Sequence, residues 1–141
     1  MHTVMGPALA PRWSRFVAHL IDGIIIVAPI VVAALLLAFN ESIGTLALVA
    51  AVCFGIAYYL FADSMQGGQS LGKRALDTAV IHAETGKPCS ASQSFMRNFL
   101  LYLLGPIDWI FIFGERRQRL GDKLAGTIVI EAPGRASARP T

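Results

Sequence analysis

Charged residues are scarce in this chain. Only 15 % of its 141 residues carry charge, against 55 % that are hydrophobic, and the mean hydropathy is +0.58. That balance excludes an ordinary soluble domain and marks an integral membrane protein. Cysteine is scarcer still. Cys53 falls within an apolar run and Cys89 in a polar loop, which argues against a disulfide, and neither stands at a metal-ligand spacing. No Ser-His-Asp order and no complete nucleotide fingerprint is present, so neither an enzymatic role nor a cofactor is expected. The net charge of +3 comes from positive residues clustered outside the apolar runs, where they set membrane topology rather than bind nucleic acid.

What the chain does have is apolar length. Phe16 to Phe39 is the first run long enough to cross a bilayer, which takes roughly 20 mostly apolar residues. It exceeds the h-region of a signal peptide and reads as an uncleaved first span. Arg15, His19 and Asp22 recur at i, i+4 and i+7, so a helix places them in one stripe. A carboxylate inside a membrane helix costs about 2.5–3.5 kcal/mol on insertion scales, so Asp22 predicts a partner: Arg15, Arg97 or a residue of another chain. Asn40-Glu41-Ser42 then turns the chain into a second run, Ile43 to Ala62. The two spans form an antiparallel hairpin, with Ala47, Ala51 and Gly55 as a small-residue face for close packing.

A polar stretch from Ser64 to Ser94 follows, with a strand-like segment at Thr78 to His82 that can pair with Ile128 to Glu131. Arg12, Arg15, Lys73, Arg74 and Lys87 place both the N-terminus and this loop on the cytoplasmic side. The third apolar region, Phe95 to Phe113, contains Arg97, Asn98, Gly105-Pro106 and Asp108. A full crossing would put the following cations outside, so a broken segment, re-entrant or interfacial, is expected in preference to a third full span. The architecture read from the sequence is an all-α membrane protein: a two-helix hairpin, a broken or third membrane segment, and a small cytoplasmic β-element. Residues 1–14 are expected to be a mobile N-terminus, 15–131 the membrane domain, and 132–141 a disordered tail.

Two motifs invite chemistry. Gly67 to Lys73 reads G-x-x-x-x-G-K, but Arg74 stands where a P-loop needs Ser or Thr, and a membrane helix precedes it instead of a strand. What remains is a glycine-rich turn, Gly68 and Gly72 beside Lys73 and Arg74, able to hold a phosphate or lipid headgroup. Arg116, Arg117, Arg119 and Lys123 form a basic cluster of the size that binds anionic lipids. Asp122 stands among these cations, and Arg97 and Asp108 lie in the apolar region before them, where Arg–carboxylate pairing makes burial tolerable.

Arg15-Phe16-Val17-Ala18-His19-Leu20-Ile21-Asp22, Gly68-Gln69-Ser70-Leu71-Gly72-Lys73-Arg74, Ser94-Phe95-Met96-Arg97-Asn98 and Arg119-Leu120-Gly121-Asp122-Lys123-Leu124-Ala125-Gly126-Thr127 together resemble the RDD family of small prokaryotic membrane proteins. The resemblance runs over about residues 12 to 130. It places the family's Arg and first Asp on Arg15 and Asp22, and its second Asp on Asp122, with Asp108 as the alternative. It implies transport of an ion or small solute, some members being regarded as sodium or proton antiporters. The competing expectation is an accessory or assembly subunit of a larger membrane complex. Two spans are too few to enclose a pathway, so either role implies a homo-oligomer or a partner in the cell membrane.

Overall fold

The computed structural model describes residues 7–132. Helix α1 (Arg12–Leu37) and helix α2 (Glu41–Phe61) form the expected hairpin, and α1 continues through Pro29. Both helices are long and apolar enough to cross a membrane, the second extending as a continuous span to Ser64. The first ends two residues before Phe39, because Asn40 is needed as a cap: its side chain accepts the Ile43 N–H at 3.0 Å. Replacing Asn40 with alanine is expected to cost about 1 kcal/mol of unfolding free energy, read by denaturant titration in detergent micelles.

The hairpin closes on small residues, though not quite the set expected. Gly44, Ala51 and Gly55 are the buried residues of α2, while Ala47 is only half-buried. A Cβ at Gly44 would meet the backbone of Leu36 and Leu37, and one at Gly55 would touch Ile26. Close backbone approach therefore fixes the pairing of the two helices. Their other faces are apolar and exposed, with Ile24, Val31, Leu35, Leu46 and Phe54 among them, as lipid-facing residues are.

After α2 the chain makes short 3-10 turns at Ala62–Ser64 and Gln66–Gly68, then helix α3 (Leu71–Ala75) and strand β1 (Thr78–His82). Helix α4 (Ala91–Leu104) starts four residues before the apolar region does, because Ser90 and Gln93 form a reciprocal capping box. At Gly105, φ is +57°, a conformation that glycine adopts freely, and Pro106 opens helix α5 (Pro106–Ile110). The axis bends there by 111°. The third region is thus broken where the sequence indicated, and after the break Trp109 packs on Phe16 and His19 of α1.

Helix α6 (Leu120–Ala125) leads into strand β2 (Thr127–Glu131), antiparallel to β1 with Val80 opposite Val129. The sheet gains a third piece from the segment expected to be mobile. Within the described part of it, the Ala10 N–H donates to the Val129 carbonyl at 3.0 Å and the Glu131 N–H to the Ala8 carbonyl at 2.9 Å, and α1 begins at Arg12. Ala10, Val80, Cys89 and Val129 pack as a small core under the helices. Residues 1–6 and the expected tail from 133 onward lie outside the described residues.

Candidate functional site

The polar residues of the apolar helices converge at one end of the hairpin, where α1 begins and α2 ends. Asp22 is buried there, and its hydrogen bonds come from neutral donors. The Tyr58 hydroxyl donates at 2.7 Å, the Ser70 hydroxyl at 2.5 Å and the Gly72 N–H at 2.8 Å. None of the cations considered from the sequence pairs with it among the described residues. The stripe on α1 is real as geometry, yet its members serve different partners. Arg15 pairs with Asp122 at 2.8 Å and donates to the Arg117 carbonyl, while His19 meets the edge of Trp109 with ring centroids 5.6 Å apart.

Beside Asp22 runs a buried charge network. Arg97, wholly buried, sits at its centre: Nε donates to Asp122 at 2.8 Å, Nη2 lies 2.7 Å from the same carboxylate and Nη1 lies 3.2 Å from Asp63. Asp63 also pairs with Lys73 and accepts from Asn98 at 3.2 Å. Asp122 receives the Arg119 backbone N–H at 3.2 Å, and Asp108 receives the Gly121 N–H at 2.9 Å with the Arg119 guanidinium 3.8 Å away. Burial opposes ionisation of Asp122, but Arg97, Arg119 and Arg15 outweigh it and hold its carboxyl well below the usual carboxylate range. Burial likewise pulls the Lys73 ammonium below the usual lysine range, with Asp63 opposing.

The loop proposed to hold a phosphate has its donors committed inward. Gly72 and Ser70 bind Asp22, Lys73 binds Asp63, and Gly68 is buried against the Val80 carbonyl, which leaves Arg74 as the loop's exposed cation. The basic cluster divides in the same way. Arg119 is inside the network and Arg117 donates to the Ala10 carbonyl at 3.3 Å, while the Lys123 ammonium lies 5.1 Å from the Phe111 ring centroid and Arg116 is exposed. Arg12, Arg74, Lys87, Arg116 and Lys123 are the exposed cations among the described residues.

Asp63, Tyr58, Ser70 and Asn98 were not singled out from the sequence as site residues. A signal for the first two was there: in an antiparallel hairpin, the last turn of α2 lies level with the first turns of α1, so polar residues at both places share one depth. Two small spaces open off this assembly. One of about 90 Å³ is bordered by His19, Asp22, Asp63, Lys73 and Asn98 together with Tyr58. The other, about 30 Å³, is bordered by Arg15, Lys73, Arg97 and Arg119. No group of residues suited to holding a metal ion occurs among the described residues.

Two membrane-length apolar helices, a bent third segment and an interlocked Arg/Asp network at their base define a small helical protein of the membrane type. The chain belongs to the RDD family, whose family model matches residues 9–126, most of its length. Neither the curated proteins nor the solved structures contain a match to it.

Proposed function

We propose that this protein takes part in moving an ion or small solute across the prokaryotic cytoplasmic membrane, with its N-terminus in the cytoplasm, and that it is not an enzyme. The observation that carries the reading is the polar space of about 90 Å³ where Asp22, Asp63, Lys73 and His19 meet at the base of apolar helices. At about 10–15 Å³ per water-sized sphere, it has room for several waters or one partly hydrated cation. Ionisable groups at membrane depth mark ion pathways and proton relays. Asp22 is suited to the role because its hydrogen-bond donors are neutral, so an arriving cation need not displace an ion pair. Outward-facing Arg12, Arg74 and Arg116 support a cytoplasmic base resting on anionic lipids.

Two spanning helices cannot surround a pathway, so transport requires further copies of the chain or another subunit. The test is Asp22→Asn, reconstituted in liposomes after its insertion and elution volume are shown to match the parent. Sodium- or proton-coupled flux is expected to fall at least tenfold, and unchanged flux would remove Asp22 from the mechanism.

An accessory role is the second reading, favoured by an apolar groove of about 420 Å³ between α1, α2 and α4. Ile26, Ile30, Ile56 and Phe99 line it with Gly55. A helix of a larger complex packing there would make Asp22→Asn lower assembly or yield with no selective loss of flux.

A further inference from the structure

The smaller of the two spaces differs from its neighbour in the sign of what faces it. Its charged lining is entirely cationic: Arg15, Lys73, Arg97 and Arg119, with His19 and Asn98 completing the polar wall. The carboxylates that pair with these cations do not line it. Within the salt-bridged network four cations (Arg15, Lys73, Arg97, Arg119) meet three carboxylates (Asp63, Asp108, Asp122), and the fourth negative charge at this end is Asp22, beside Lys73 in the neighbouring space. Asp22, held by neutral donors, borders the larger space instead.

Donor capacity is in surplus at the same place. Arg97 has no exposed surface, and its Nη1 and Nη2, though close to carboxylates, make no aligned hydrogen bond. Arg119 is 5 % exposed, and its Nε is likewise without one. Each of these nitrogens has a carboxylate oxygen 2.7–3.8 Å away, and Asp108 Oδ2 beside Arg119 Nε also lacks an aligned partner, so what a ligand can gain is the N–H directions that these ion pairs leave unfilled. A volume of about 30 Å³ admits one or two water-sized bodies, at about 10–15 Å³ apiece. A lone water accepts at most two hydrogen bonds and carries no charge, whereas a monatomic anion accepts from several directions and offsets the mutual repulsion of the four cations that line the space.

We propose that the cavity between Arg97 and Arg119 binds one small monovalent anion of halide size, which completes the charge network at the base of the hairpin. The probe is chloride, with bromide as its heavier stand-in. Full-length protein in detergent is melted in sodium chloride and in sodium gluconate at equal ionic strength, gluconate being too large for the space. Chloride is expected to raise Tm saturably, by about 4–6 °C at tenfold excess over its Kd. Crystals grown in bromide are expected to show one anomalous peak between the two guanidiniums.

Arg119→Gln removes one cation and should abolish the chloride increment. Val129→Leu, which changes no charge, extends a neighbouring wall residue into the space and should abolish it too. Asp22→Asn, the variant that tests transport, should keep the increment, so the two readings fail separately. Equal melting of the parent in both salts would overturn the site, as would an increment that survives Val129→Leu or a cavity peak with no anomalous signal in bromide.

Discussion

An Arg97→Met protein is expected to lose about 3–5 kcal/mol of stability, the range for breaking a buried ion pair from one side. That is a large part of the total available to a domain of ordinary stability. The reason lies in what Arg97 joins. One guanidinium holds Asp63, at the end of α2, and Asp122, in α6, while its own backbone belongs to α4. Methionine fills much of the same volume, so the effect reads charge and not a cavity. Asp122 would keep Arg15 and Arg119, but Asp63 would be left with Lys73 and Asn98. Arg97→Lys is expected to recover only part of the loss, since a single ammonium cannot present the planar fork that spans two carboxylates. Arg116→Met, at an exposed position, is the control and should change stability by less than about 0.5 kcal/mol. Heating each protein in detergent and following the monodisperse fraction by size exclusion ranks the three. Wild-type melting in Arg97→Met would mean that the network is dispensable for the fold.

Features of the chain that rest on local pattern were legible before any coordinates. Apolar run lengths gave α1 and α2, Gly105-Pro106 gave the break in the third region, and alternation of apolar residues gave the pairing of Thr78–His82 with the strand after α6. The site was legible as a set of residues but not as a set of pairs. Of the expected network Arg15, Asp22, Arg97, Asp108 and Asp122 are buried and His19 is exposed, and of these residues Arg15 and Arg97 share a carboxylate, Asp122. Pairing depends on how far α4 and α6 slide along the hairpin, which no periodicity encodes. The same limit hid Ser70: a hydroxyl in a glycine-rich loop looks like turn chemistry until α3 is seen against α1, where it donates to Asp22. The N-terminal segment misled for the opposite reason. Gly6, Pro7 and Pro11 read as punctuation, but a short backbone stretch can add to an exposed sheet edge whatever its side chains, and Ala8 to Ala10 do so.

Two of the three short helices, α3 and α6, share one device. Helix α3 opens Leu71-Gly72 and helix α6 opens Leu120-Gly121, and in both the glycine N–H donates to a buried aspartate of another element. Gly72 serves Asp22 at 2.8 Å, and Gly121 serves Asp108 at 2.9 Å. In both, glycine is required by contact, not by conformation. A Cβ at Gly121 would lie 2.5 Å from the Arg97 carbonyl oxygen, and one at Gly72 would run into the Ala18 carbonyl and the Asp22 carboxyl. The obstructing atoms are largely helix backbone, which cannot rotate aside as a side chain can. Alanine at either site must therefore push the short helix outward, lengthening a charge-assisted hydrogen bond as well as overpacking the seam. Overpacking costs about 1–3 kcal/mol and loss of the bond to a carboxylate about 1.5–3, so each substitution is expected to lower stability by roughly 2.5–6 kcal/mol. Their consequences should differ in kind. Gly72→Ala disturbs the loop that holds Asp22 and should depress flux in whatever folded protein remains. Gly121→Ala shifts α6 relative to Arg97 and should reduce the chloride increment, because Arg119 and Asp122 move with it. Parallel melting curves in chloride and gluconate, with flux measured on the same preparations, separate the two. Wild-type behaviour of Gly121→Ala in both assays would show that α6 does not pack on α4 as closely as the Gly121–Arg97 contact requires.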